Sequence, residues 1–166
     1  FLDWDCADDY HAWMHGQFGT LASAPTVVVD GGNGAAGPTA IRAYEAMGCR
    51  VIPLFCEPDG TFPNHHPDPC QHKNLVDLQR AVREHGADLG LAFDGDGDRV
   101  GVVDDRGRIV PGDMALLLYA LDGLRRHDGK KPYKVAFEVK CTSLLFDLLE
   151  REGGVPVLSP AGHAFM

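Results

Sequence analysis

The residues best suited to chemistry lie in one short stretch, where three aspartates alternate with two glycines and one arginine follows. They are Asp94, Gly95, Asp96, Gly97, Asp98 and Arg99. Carboxylates brought together in a tight loop repel one another unless a cation neutralises them. Ligands that offer only oxygen favour a hard ion, Mg²⁺ or Ca²⁺, over zinc or copper. The pattern therefore predicts a site for a divalent cation.

Three other interpretations of the acidic stretch are weaker. A solvated turn between strands does not require three aspartates at strict spacing. A calcium loop of the EF-hand type needs Gly at its sixth position and Glu at its twelfth, where this chain has Arg99 and Asp105. A haloacid-dehalogenase-type phosphatase loop also follows an apolar strand with Asp-x-Asp-Gly, but the next residue there is normally Thr or Val, not Asp98. That phosphatase class remains the alternative enzyme.

The elements that must position this stretch alternate between strands and helices. Short apolar runs predict strands, and apolar residues at helical spacing predict helices. Strands are expected at 26–29, 50–55, 89–93, 100–103, 108–110, 134–138 and 155–158, and helices at 38–47, 74–85, 113–124 and 142–152. The alternation predicts an α/β fold, a three-layer mixed sheet flanked by helices, followed by a truncated second α/β unit.

The chain divides by composition into three parts. Residues 1–25 are an irregular lead-in with a short helix at about 10–18, and residues 26–127 form the α/β domain with the acidic stretch. Residues 128–166 restart the strand–helix–strand pattern after a Gly- and Lys-containing linker. Because one such unit cannot build a core alone, we expect these residues to be the N-terminal part of a truncated second domain.

Charge and composition exclude several classes of partner. The chain has 166 residues and a formal net charge of −9, whereas nucleic acids and anionic membranes reward clustered Lys and Arg. No apolar run approaches the roughly 20 residues that span a bilayer. The five cysteines lack zinc-ribbon or C-x-x-C spacing. We therefore expect a cytoplasmic protein with reduced thiols and no nucleic-acid or membrane partner.

Several segments together resemble one enzyme family. The stretch Phe93–Arg99 (FDGDGDR) is similar to the metal-loop signature of the α-D-phosphohexomutases, in particular the bacterial phosphomannomutase/phosphoglucomutase branch. Further resemblances follow in order along the chain: Val28–Gly37 (VVDGGNGAAG), Phe62–Pro69 (FPNHHPDP), Val139–Thr142 (VKCT) and Ala161–Phe165 (AGHAF). On this resemblance residues 26–127 are the family's second domain, and residues 128–166 begin its third.

The family interconverts hexose 1-phosphates and 6-phosphates through a phosphoserine and a bisphosphorylated sugar. The resemblance implies Mg²⁺ as cofactor, a mannose or glucose phosphate as substrate, and contacts with the remaining domains of a longer parent enzyme. By the matching positions, the metal ligands are Asp94, Asp96 and Asp98, the catalytic residues are Arg99 and Lys140, and the substrate-binding residues are Arg99, Lys140, Gly162 and His163.

The resemblance has limits. None of the 166 residues resembles the family's phosphoserine segment, its sugar-binding loop or its fourth domain, so the chain alone is expected to lack mutase activity. Relatives often carry Lys-Thr before Gly-His, where this chain has Pro160 and Ala161. The adjacent His65 and His66 are too weak a signal to count as ligands. The non-enzymatic alternative is a binding or scaffold module that retains the fold.

Overall fold

A computed structural model describes residues 6–162 as two compact units that divide between Val110 and Pro111. The first contains α1 (Ala7–Phe18), β1 (Thr26–Asp30), α2 (Ala36–Ala46), β2 (Arg50–Leu54), a 3₁₀ turn (His72–Leu75), α3 (Val76–His85), β3 (Leu89–Phe93), β4 (Val100–Asp104) and β5 (Ile109–Val110). The second contains α4 (Gly112–Arg126), β6 (Lys134–Glu138), α5 (Ser143–Arg151) and β7 (Val155–Ser159).

The first unit is built on a mixed sheet of five strands in the order β2-β1-β3-β4-β5. Strand β1 pairs in parallel with β2 and β3, whereas β4 runs antiparallel to both β3 and β5. Pro53 lies in β2, where its missing N–H is tolerated because β2 is an edge strand. The predicted strand at 50–55 ends one residue early, since Phe55 has a φ of 51° and leaves the extended conformation.

Side chains alternate between the two faces of the sheet, as the pleat requires. Val28 and Ala92 pack on one face with α3, in a cluster that includes Leu78 and Val82. Val27, Val29 and Leu91 pack on the other face with α2, through Ala40. Helices therefore cover both faces, which confirms the predicted three-layer α/β architecture.

The strands β4 and β5, which fall where the sequence predicts strands, form a hairpin, and Asp104 fixes its turn. The Asp104 Oδ1 atom accepts hydrogen bonds from the backbone N–H groups of Arg106 (3.0 Å) and Arg108 (2.8 Å). Gly107 has a φ of 74°, a left-handed conformation that glycine adopts without steric cost. The hairpin continues the strand that leaves the acidic stretch, so it anchors one end of that stretch.

The second unit pairs β6 with β7 in parallel. Its core contains Leu117 of α4, Phe137 of β6, and Leu145 and Leu149 of α5. The Thr142 side chain accepts a hydrogen bond from the Leu144 N–H and so caps α5. Helix α4, which the sequence placed at the end of the first domain, packs in this core; the domain limits themselves stay predictions.

Across residues 6–162, every helix is too short or too polar to cross a membrane.

Candidate metal-binding site

The acidic stretch lies where the sheet changes direction. From β1 the chain passes to β2 on one side, and it then returns to β3 on the other side. Because β1 and β3 are parallel neighbours, their carboxyl ends meet at one edge of the sheet. Asp30 ends β1 and Asp94 directly follows β3. In open α/β sheets, ligands bind in the crevice at such a switch point.

Three carboxylates converge in the loop between β3 and β4, which we call the acidic loop (residues 94–99). Oxygen atoms of Asp94, Asp96 and Asp98 all lie within 4.8 Å of one another. Asp94 is 1% exposed, whereas Asp96 and Asp98 face solvent. One buried and two accessible carboxylates form an all-oxygen donor set that fits a hard divalent cation. The structure therefore brings the three predicted ligands together.

Arg99 holds the buried member of this group. Its backbone N–H donates to Asp94 Oδ1 at 2.9 Å, and its Nε–H donates to Asp94 Oδ2 at 2.7 Å. Burial raises the pKa of Asp94, but the hydrogen bonds from Arg99 and Asp98 and the guanidinium charge outweigh it and lower that pKa from 3.8 to about 2. Asp94 is therefore ionised at neutral pH, as a metal ligand must be.

The Arg99 side chain also joins the acidic loop to a distant segment. Its Nη1 lies 3.2 Å from Asp68 Oδ1, and its Nε lies 3.6 Å from Asp98 Oδ1. The hydrogen bond to Asp94, followed by the contact with the Cys70 sulfur, raises the pKa of the guanidinium. Because the side chain is 53% exposed, it combines a fixed position with access to a ligand.

Mutual repulsion within the loop shows in the raised pKa of Asp98. Its hydrogen bond with Asp94 and the charges of Asp96 and Asp94 raise its pKa above the ordinary value. A cation bound among these carboxylates would relieve the repulsion. The electrostatics of the loop thus match the chemistry that its residue types indicate.

The glycine-rich turn after β1 (residues 31–37) packs directly against the acidic loop. The backbone N–H of Ala35 donates to the carbonyl oxygen of Gly95 at 3.0 Å. A Cβ at Gly34 would lie 2.8 Å from that same oxygen. The sequence marked this segment only by its resemblance to the family and did not predict its contact with the loop, which depends on β1 and β3 being neighbours.

The other predicted site residues lie elsewhere. Lys140 belongs to the second unit, follows β6 and is exposed, with its Nζ 3.9 Å from Glu138 Oε1. Gly162 is exposed at the end of the described chain, and His163 lies outside the described residues. His65 contacts Asp30, so it serves the site's surroundings and not the carboxylate group itself. The roles of Lys140, Gly162 and His163 stay predictions.

Comparison with known proteins identifies the family. Residues 15–107, more than half of the chain, match the model described as phosphoglucomutase/phosphomannomutase, alpha/beta/alpha domain II. The chain belongs to this family. The matched range contains the glycine-rich turn, residues 62–69 and the acidic loop, three of the segments on which the resemblance in the sequence rests.

Individual relatives agree with this family. The chain is 55% identical over 146 residues to a phosphomannomutase/phosphoglucomutase of Pseudomonas putida, covering 88% of this chain and 31% of the relative. It is 46% identical over 162 residues to a Neisseria meningitidis serogroup B phosphoglucomutase, and the match covers 98% of this chain and 34% of that relative. A crystal structure of a phosphoglucomutase/phosphomannomutase family protein from Burkholderia thailandensis superposes with a TM-score of 0.91 at 41% identity. The superposition covers 97% of this chain and 34% of that protein. The chain thus spans about a third of the length of these relatives.

Proposed function

We propose that this chain supplies the metal-binding region of a cytoplasmic phosphohexomutase that interconverts hexose 1-phosphate and hexose 6-phosphate. The observation that carries the proposal is the convergence of Asp94, Asp96 and Asp98 at the switch point of a domain that belongs to this family. The substrate is a mannose or glucose phosphate, and the partners are the further domains of the longer enzyme. The five unpaired thiols agree with a reducing compartment.

The proposed cation is Mg²⁺, held by the carboxylates of Asp94, Asp96 and Asp98. When bound there, it supplies positive charge that offsets charge on the oxygens of a transferring phosphoryl group. The protein's own part is to hold Asp94 ionised through Arg99 and to leave Asp96 and Asp98 open to solvent. This division keeps one ligand fixed while two remain accessible.

Arg99 is the proposed phosphate-binding residue beside the metal site. Its guanidinium is planar, permanently charged and more than half exposed, and such a group pairs well with phosphate oxygens. Asp94 and Asp68 fix its orientation. Lys140 would act near the reacting groups as a proton-transfer or substrate-binding residue, and Gly162 and His163 would contact the sugar phosphate.

Calorimetric titration of Mg²⁺ into the 166-residue chain tests the metal site. We expect saturable binding that weakens by at least roughly tenfold in the double variant Asp96→Asn/Asp98→Asn. Substitution of residues that only contact metal ligands already costs about 10–100-fold in affinity, so removal of two ligands should cost no less. Asp105→Asn is the matched control, since it removes an exposed charge from the nearby hairpin turn without touching the triad. Equal binding by all three proteins would refute the assignment.

An activity assay addresses the role of the chain within a larger enzyme. The 166 residues alone, given mannose 1-phosphate, a hexose bisphosphate and Mg²⁺, are expected to form no 6-phosphate, because none of them resembles the phosphoserine segment. Steady turnover by a preparation free of contaminating enzyme would overturn this expectation. A folded chain with neither metal binding nor activity would instead favour the binding or scaffold module.

A further inference from the structure

His65 is held in the first unit by hydrogen bonds from both of its ring nitrogens. Its Nε2 lies 3.2 Å and 3.1 Å from the two carboxylate oxygens of Asp30. Its Nδ1 lies 3.0 Å from the carbonyl oxygen of His66. A carbonyl oxygen only accepts hydrogen bonds, and so does a carboxylate in its ionised form, so donation from both nitrogens satisfies both contacts. The geometry therefore fits a doubly protonated imidazolium.

The surroundings of His65 support a positive charge. Asp30 is 0% exposed, and the His65 side chain is 12% exposed, so water screens the pair little. Asp77 of α3 adds a further negative charge. The Phe55 and His65 rings form a T-shaped pair with 5.5 Å between their centroids. The hydrogen bond to Asp30 raises the pKa of His65 against the opposing effect of burial, and the His66 carbonyl and the charges of Asp30 and Asp77 raise it further.

The pair is connected to the acidic loop through backbone contacts. Asp30 Oδ1 accepts a hydrogen bond from the Gly32 N–H at 2.9 Å, which fixes the start of the glycine-rich turn. The same turn ends in the Ala35 N–H that donates to Gly95 of the acidic loop. A continuous series of hydrogen bonds thus joins His65 to the loop through Asp30 and the turn.

The segment that carries His65 reaches the acidic loop by a second route. Asp68, three residues further on, pairs with Arg99, and Arg99 holds Asp94. One segment therefore contacts the supports of the acidic loop on two sides. His65 is therefore linked by chains of contacts to both the backbone and the buried carboxylate of the loop.

We propose that the buried pair of His65 and Asp30 positions the acidic loop for its cation, which makes His65 a positioning residue of the metal site. This inference rests on the proposed function, because it presumes that the loop binds Mg²⁺. It differs from a purely structural role in one respect. Loss of the proton from His65 should weaken Mg²⁺ binding while the protein stays folded.

The first test is nitrogen NMR of the histidine rings in the isotopically labelled chain. At pH 6.5 we expect both ring nitrogens of His65 to show the imidazolium signature, with His66→Gln used to assign the neighbouring ring. A neutral tautomer of His65 at that pH would overturn the inference. This readout does not depend on any metal.

The second test follows Mg²⁺ affinity between pH 6 and pH 8 through the amide signals of Gly95 and Gly97. We expect Mg²⁺ affinity to fall about threefold or more as pH rises, with a midpoint equal to the measured pKa of His65. The expected fall is smaller than the roughly 10–100-fold cost of losing a residue that contacts a metal ligand directly, because His65 acts through other residues. The series is repeated in Cys70→Ser, because the Cys70 sulfur lies 3.9 Å from Arg99 Nη1 and this variant removes the thiol from the surroundings of the loop.

Substitution completes the test. His65→Gln cannot carry the charge, so it should bind Mg²⁺ more weakly at pH 6 and lose the pH dependence, whereas His66→Gln should keep both wild-type properties. If His65→Gln does not fold, the wild-type pH series decides alone. Mg²⁺ binding that is independent of His65 protonation overturns this inference but leaves the proposed function intact. Absence of binding in the folded wild-type chain overturns both.

Discussion

Replacement of Gly34 by alanine tests whether the glycine-rich turn supports the acidic loop. A Cβ at Gly34 would lie 2.8 Å from the Gly95 carbonyl oxygen, 3.0 Å from Gly95 Cα and 3.1 Å from the backbone carbonyl oxygen of Asp94. All three atoms are backbone, so no side-chain rotation can relieve the contact, and the acidic loop must move. Overpacking of this kind costs about 1–3 kcal/mol.

Amide hydrogen exchange reports this cost in the first unit alone. A loss of about 1–2 kcal/mol in the free energy of unfolding speeds exchange by roughly 5–30-fold. We expect this increase in Gly34→Ala at buried amides of β1 and β3, such as those of Val29 and Leu91. Mg²⁺ affinity at the loop should fall in the same variant. The reason is that a displaced Gly95 carries Asp94 and Asp96 with it.

Gly95→Ala is the matched control for this substitution. The nearest atom to its Cβ is Pro67 Cγ at 3.5 Å, an ordinary contact, so exchange should stay unchanged or slow slightly through the smaller entropy of the unfolded chain. Wild-type exchange rates and Mg²⁺ affinity in Gly34→Ala would refute the argument that this turn sets the position of the loop.

Two further predictions concern charge. Arg99→Gln removes the side-chain hydrogen bond to Asp94, so the pKa of Asp94 should rise well above about 2, measurable by carbon NMR of its carboxyl group; Arg106→Gln on the exposed turn should leave it unchanged. Because the folded-state pKa of His65 is raised, its contribution to the free energy of unfolding is complete below its unfolded pKa of about 6.5. That contribution is lost as pH rises through the folded value, with a slope of at most about 1.4 kcal/mol per pH unit for one proton. Urea unfolding between pH 6 and pH 8 should show the slope in wild type and His66→Gln but not in His65→Gln.

The features that sequence predicted well depend on neighbouring residues. The acidic loop and the strands on either side of it follow from apolar runs and from Asp and Gly spacing within about fifteen residues. Alternating burial along β1 and β3 likewise follows from a period of two. These elements are specified locally, so the three-layer fold and the position of the three carboxylates could be predicted.

The supports of the site were not predictable in the same way. The pairs Arg99–Asp68 and His65–Asp30 join residues 31 and 35 positions apart, and their meeting depends on the strand order. The helix predicted at 74–85 begins instead with a 3₁₀ turn. There the buried Asn74 side chain donates to the Asp68 carbonyl oxygen at 2.9 Å. Such contacts require the tertiary structure, because no local spacing encodes them.

Binding of a divalent cation by the acidic loop is tested most directly by a Mg²⁺ titration of isotopically labelled protein, followed through the amide signals of Gly95 and Gly97. We expect saturable shifts centred on residues 94–99, with smaller shifts at Ala35 through its hydrogen bond to Gly95, and similar behaviour with Ca²⁺. Shifts spread evenly over exposed acidic residues, or none at the acidic loop in a folded chain, would contradict the assignment of Asp94, Asp96 and Asp98 as metal ligands.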